Sequence, residues 1–282
     1  MPLPHAPVRS ASAWVALLAL VSACSPAPLS SSAAGSTPSA GPVSSAAGRS
    51  SAAPAPRPDP VVSVGPIFDH GVGQPHSCTA SVLDTPGQDL ILTAAHCVTG
   101  TGRGMLFVPG YARGAAPYGV WQVTAAYVDP AWIGAHEEDR DYAILRVAEQ
   151  RRAGGPAGVQ SRTGGNELGL APVAGQRVTA IAYNQGLGDA PVRCETSVYD
   201  SDGHPTFDCP GFSDGTSGGP WLAVQPDTGR SVVRGVIGGL HQGGCHDYTS
   251  YSPAFSAAIF GLLDRAERGA PGDTVPAVGS DC

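Results

Sequence analysis

Apolar and β-branched residues in this chain gather in short runs, set apart by clusters of Gly, Pro and Asp. The runs are Val61–Val64, Ser77–Leu83, Leu90–Ala94, Met105–Val108, Val120–Val128, Tyr142–Val147, Arg177–Tyr183, Val192–Tyr199 and Val232–Leu240. Each has the length of a strand, and no clear helical pattern separates one from the next. This predicts antiparallel strands in a sandwich or barrel, not a parallel α/β sheet. One helix is predicted near the C-terminus. Ser252 can cap it and Pro253 suits its first position. Phe255, Ala258, Ile259, Leu262, Leu263 and Ala266 then fall on one face, and Gly269 can end it. The dozen residues beyond read as loose, apart from a Cys282 that could be tied down.

Composition narrows the picture. The 282 residues include 38 Gly and 27 Pro, and only 14% are charged, which argues against an all-helical bundle. The net charge is -7, and all 16 basic residues are Arg. Without Lys there can be no Schiff base, Ser-Lys dyad or P-loop lysine. The acidic balance and lack of a basic run argue against a nucleic-acid partner. The body has no apolar stretch of about 20 residues that could span a membrane.

The N-terminal 60 residues read differently from the rest. Arg9 precedes an apolar stretch, Trp14 to Ala23, too short to span a bilayer and suited to a signal-peptide core. Residues 1–23 are therefore expected to be a signal peptide. Val21-Ser22-Ala23-Cys24 resembles a bacterial lipobox, which implies cleavage before Cys24 and a lipid on its sulfur; ordinary cleavage nearby is the alternative. Residues 24–60 consist almost wholly of Ser, Ala, Pro and Gly, which cannot bury enough apolar surface to offset the entropy of ordering. They read as a flexible tether. Setting Cys24 aside leaves six of seven Cys, an even number available for disulfides in an exported protein.

Three segments carry chemistry. Leu92-Thr93-Ala94-Ala95-His96-Cys97 places a histidine at a strand end beside a cysteine able to staple the loop. Asp141-Tyr142-Ala143-Ile144-Leu145 places a carboxylate at the mouth of an apolar strand. Gly215-Thr216-Ser217-Gly218-Gly219-Pro220 can turn tightly and aim successive N–H groups at one point. A serine hydroxyl becomes a nucleophile when a histidine takes its proton, and the histidine needs a carboxylate to orient it. Asp139 competes with Asp141, because residues two apart in a strand share a face. His70, His76, His136, His204 and His246 form no metal-ligand pattern, so no metal is expected.

The set, in the order His, Asp, Ser, resembles the trypsin/chymotrypsin family of serine peptidases over roughly Val61 to Arg268. The resemblance implies an all-β fold of two antiparallel β-barrels of the chymotrypsin type with a C-terminal α-helix. It implies Ser217 as nucleophile, His96 as general base, Asp141 as its orienting partner, and the N–H groups of Gly215 and Ser217 as oxyanion hole. Activity would then rise with pH as His96 loses its proton. The first barrel would run from Val61 to Gln150 and the second from Arg177 to Ser252. The helix Pro253 to Arg268 would pack outside the second barrel, and residues 269–282 would form a tail.

The chain departs from the family at Thr216, where many members carry the Asp that pairs with a new amino terminus on activation. The loop is therefore expected to be ordered by other contacts. By offset, Gly211 stands where members that cut after Lys or Arg place an acid. The pocket wall is expected at Gly238-Gly239-Leu240, and the run Gly239 to Gly244 looks like the wall strand of bacterial glutamyl endopeptidases. There His241 would receive an acidic side chain, unless it is merely a loop histidine.

The family also implies a Cys78–Cys97 disulfide. Cys194, Cys209, Cys245 and Cys282 allow three pairings. A hairpin turning near Asp202-Gly203 favours Cys194–Cys209 with Cys245–Cys282; the runner-up joins Cys209 to Cys245. The whole reads as an extracytoplasmic, monomeric serine endopeptidase. It would act on peptides or proteins without a cofactor, insensitive to chelators, and touch the membrane only through a lipid anchor. A catalytically silent peptide-binding module and a structural lipoprotein are the alternatives.

Overall fold

The computed structural model describes residues 61–152, 155–186 and 190–282. The expected signal peptide, Cys24 and the tether lie outside the described residues.

The first half is a closed barrel of β1 (Val64–Phe68), β2 (Cys78–Val82), β3 (Leu90–Thr93), β4 (Leu106–Phe107), β5 (Trp121–Val128) and β6 (Ala143–Val147), ordered β1-β2-β3-β6-β5-β4. Alternate residues of these strands serve two cores. Ile67, Val82, Ile91, Phe107, Trp121 and Leu145 fill the barrel. Phe68, Leu90, Leu92, Tyr127 and Ile144 point the other way, into a second cluster shared with Ile181, Tyr183, Leu222 and Val236 of the second half. Burial on both faces is why these strands read as continuous apolar runs. The first strand starts later than the pattern predicts, because Gly65-Pro66 lies inside it instead of forming a turn. A Cβ at Gly65 would come within 2.2 Å of Val108 O, so only glycine permits this approach.

A short hairpin follows, β7 (Gln150–Arg152) with β8 (Gly155–Ala157). The second half contains β9 (Glu167–Leu168), β10 (Arg177–Ala182), β11 (Val192–Ser197), β12 (Tyr199–Ser201), β13 (His204–Asp208), β14 (Pro220–Val224), β15 (Ser231–Val236) and β16 (Thr249–Tyr251). They form a five-stranded sheet, β11-β10-β14-β15-β9, and a three-stranded sheet, β12-β13-β16. Both contribute to a third core of Val178, Ala180, Phe207, Phe212, Trp221 and Ile237. Asp202 and Gly203, both at positive φ, make the turn from β12 to β13. The pattern does not reveal β13, β14 or β16, which are short and carry Pro or polar residues. The predicted run Val232–Leu240 ends as a strand at Val236. Leu240–Gly243 is instead a tight 3₁₀ turn, with His241 and Gln242 at φ 50° and 51°.

Among the described residues three α-helices complete the fold: α1 (Pro130–Ala135), α2 (Gln160–Thr163) and α3 (Ala257–Glu267). The last differs from expectation at its start and in its packing. Its cap is Ser256, whose hydroxyl accepts from Ala258 N. Ser252 is fully buried, accepting from Val236 N and donating to Pro253 O, so it serves a strand end instead. Phe255 and, on α3, Ile259, Leu262 and Ala266 join the cluster between the halves, and Arg146 Nη2 of β6 donates to Ala266 O at 2.5 Å. The helix thus lies against the first barrel as well as the second half. The segment beyond it is not loose. Asp273 N donates to Ala126 O, and Gly100 and Val275 exchange backbone bonds, all at 2.8 Å.

Candidate active site

The register of β3 and β6 builds the first part of the site. Leu92 pairs with Ile144 and Thr93 with Ala143, so the chain leaving β3 and the chain entering β6 emerge side by side. His96 lies in a 3₁₀ turn, Ala95–Cys97, just past β3. Asp141 follows another, Glu138–Arg140, just before β6. The Asp141 side chain is fully buried and that of His96 is 8% exposed. Asp141 accepts from His96 N at 2.9 Å, His96 Nδ1 at 2.7 Å and Gly239 N at 2.8 Å. Three donors satisfy a buried carboxylate that would otherwise be costly. Because Nδ1–H donates to Asp141, the neutral imidazole keeps Nε2 as an acceptor. Such a ring is oriented to take a proton.

The structure separates Asp141 from its competitor. Asp139 is 57% exposed and its carboxylate lies 3.7 Å from His204 Nδ1. The two-residue alternation does not apply, because these residues lie in a helical turn, not a strand. Tyr142, next in sequence, donates to Asp129 Oδ2 at 3.4 Å. Burial, with the Asp129 carboxylate adding to it, pushes the Tyr142 phenol up to about 12.

Ser217 lies on the loop before β14, brought alongside the histidine segment by close backbone packing. Thr79 N of β2 donates to Ser217 O at 2.7 Å. A Cβ at Gly218 would come 2.1 Å from Thr93 Oγ1 and 2.9 Å from Ala94 N, so glycine is what lets the loop nest there. Among the described residues no hydrogen bond links Ser217 Oγ to His96. Thr216 N donates to Ser213 O, Gly218 N to Ile237 O and Gly219 N to Thr216 O. That pattern skips Gly215 and Ser217, whose N–H groups have no partner among the described residues. Gly215 sits at φ 90°, and a Cβ there would meet Gln185 N at 2.4 Å.

Residues that sequence patterns pass over hold this loop in shape. Thr79 Oγ1 donates to Gly215 O at 3.0 Å and accepts from Tyr183 N at 2.9 Å. Asn184 receives Ser213 N on its Oδ1 and donates to Gly211 O through Nδ2, while its carbonyl takes a bond from His76 Nε2. Thr216 Oγ1 donates to Ser213 O at 2.7 Å, closing the turn locally. Apart from Thr216, these residues lie outside the three motif segments, and only the fold brings them to the loop.

Beside Ser217 opens a cavity of about 370 Å³, lined by residues that include Phe212, Ser213, Thr216, Ile237, His241 and Thr249. Of the pocket residues expected from sequence, His241 lines it. Gly211 sits instead on an exposed turn, bonded to Asp247 O. Gly238 and Gly239 pack on Asp141: a Cβ at Gly238 would lie 3.0 Å from Oδ2. Leu240 opens the 3₁₀ turn and does not line the cavity.

The structure joins Cys78 to Cys97, Cys194 to Cys209 and Cys245 to Cys282, with Cα separations of 6.1, 6.4 and 5.4 Å. Cys78, Cys97 and His96 offer ligand-type atoms within 4.8 Å of one another. The two sulfurs are bonded to each other, so neither is a thiolate that could bind a metal.

The closed barrel, the second half packed on it, and a buried His-Asp pair whose strand end packs against a Ser-bearing glycine loop are features of a serine peptidase fold. The chain belongs to the trypsin-like peptidase domain family, whose sequence model matches residues 78–233. No curated protein matches the chain. Among solved structures, the protease Anisep from Arthrobacter nicotinovorans is 22% identical with TM-score 0.62, over 75% of this chain and 98% of that one. A thermostable serine protease, AL20, from an extremophilic microorganism is 20% identical with TM-score 0.60, over 74% and 98%. A Glu endopeptidase is 19% identical with TM-score 0.55, over 75% and 93%. At these identities the likeness shows the fold.

Proposed function

We propose that the protein is an exported serine endopeptidase that hydrolyses peptide bonds through an acyl-enzyme on Ser217. The observation that carries this is the buried Asp141 carboxylate holding His96 through Nδ1, on a wall that also packs the Ser217 loop. Ser217 Oγ attacks the scissile carbonyl carbon while its proton passes to His96 Nε2. The oxyanion is met by the N–H groups of Gly215 and Ser217. His96 then returns the proton to the leaving amine, and water repeats the sequence on the ester. One donor of the oxyanion kind contributes about 3 kcal/mol to such a step. This chemistry draws on the chain's own residues. Monomeric action on peptides or proteins outside the cytoplasm, from a lipid on Cys24, completes the proposal. Three disulfides fit an oxidising location.

The missing Ser217–His96 bond favours the silent peptide-binding module as a second reading, although such bonds often tighten only when substrate is present. Covalent labelling by a fluorophosphonate probe separates the two, with Ser217→Ala as control. Labelling of the wild type alone, with casein hydrolysis stopped by the same probe, is expected. A folded wild type that does not label would leave the binding module.

A further inference from the structure

After α3 the chain does not end on the element it came from. It first lies along the barrel. The Asp273 carboxylate accepts from Val128 N at 2.8 Å and pairs with Arg265. Val275 is buried and bridged to Gly100, three residues beyond Cys97. Val278 still packs on the barrel core. The chain then crosses to the second half, where Gly279 O accepts from Gln242 Nε2 at 2.5 Å and Cys282 is bonded to Cys245. Ser280 and Cys282 line the same cavity as Ser217 and His241.

We propose that residues 276–282 are a disulfide-held strap forming the outer wall of the substrate cavity, and that Ser280 is a specificity-determining position which limits how long a peptide can lie there. The anchoring is uneven. On the barrel side the residues just before the strap are fixed, Asp273 and Val275 by three backbone bonds and Val275 by burial. On the cavity side Gly279 accepts a single side-chain bond, and the polar, exposed residues beyond it bury little apolar surface. A short exposed segment of this kind cannot offset its own ordering entropy. The Cys245–Cys282 bond therefore keeps the wall in place, and opening it widens the cleft beside Ser217. The inference rests on the cavity being the substrate site of the proposed peptidase.

The test uses the full chain carrying Ser217→Ala, so that nothing is turned over, and labelled peptides of increasing length read by fluorescence anisotropy. Replacing Cys245 and Cys282 together by Ser is expected to raise affinity for the longest peptides about tenfold and to change that for the shortest by less than about twofold. Ser280→Trp, with the disulfide intact, is expected to weaken the longest peptides about tenfold and to change the shortest by less than about twofold. Thermal melts establish that both variants fold. An unchanged length profile in both variants overturns the strap, and so does no measurable binding by any of them. Fluorophosphonate labelling on the Ser217 background reports the peptidase reading separately, since so small a probe does not sense the wall.

Discussion

Asp139 and Asp141 are the same residue type two positions apart, and only their surroundings distinguish them. Asp141 is fully buried with three donors; Asp139 faces solvent near His204. Asp141→Asn is expected to lower turnover about ten-thousand-fold, because an amide cannot hold His96 in the tautomer that leaves Nε2 free. Asp139→Asn is expected to change it less than about twofold. Peptide hydrolysis rates of the two variants, measured side by side, check both; equal losses would sink the assignment. The His and Ser segments were legible as motifs because local backbone needs, a strand end and a glycine turn, constrain their neighbours. Choosing between the two aspartates needed the helical turn before β6, which no two-residue alternation reveals.

At the scale of elements, the strands of the first barrel were legible, and most are buried on both faces, while β13, β14 and β16 were obscure because they are short and carry Pro or polar residues. The helix was legible in its apolar face but not in its start. Ser252-Pro253 has the composition of a helix entry, yet Ser252 is claimed by Val236 N inside the core. Long-range burial overrides a local capping signal. Ser256→Ala is expected to cost about 1 kcal/mol, the loss of an exposed cap. Ser252→Ala should cost more, about 2 kcal/mol, because it leaves a buried N–H without its acceptor. Denaturant melts of the two variants check the order. The tail also escaped the pattern, since its fixed points, Asp273 and Val275, are single residues that bond to distant parts of β5 and to Gly100.

For the whole molecule, the cluster shared by both halves and α3 couples their stability. Tyr142 lies in it, stacked edge-on with Phe255 at 5.6 Å between ring centres. Its phenol titrates near 12 in the folded state and at 10.0 ordinarily. Between those values the folded chain holds a proton that the unfolded chain has released, so stability falls as pH rises above about 10. Tyr142→Phe is expected to flatten that decline while leaving the pH 7 to 9 region level. Thermal melts from pH 8 to 11 check it, and a decline unchanged by the substitution would place its origin elsewhere.

The sequence by itself determined the strand-rich class, the order of the His, Asp and Ser segments, and the even set of six cysteines beyond Cys24. Those features depend on local backbone needs and on residue inventory, which spacing records directly. Only the tertiary structure decided which aspartate meets His96, what holds the Thr216 loop, where the helix packs and where the last residues run. Each depends on groups far apart in sequence meeting inside one packed core, where a single extra Cβ would clash with the backbone opposite it. No spacing rule records such meetings.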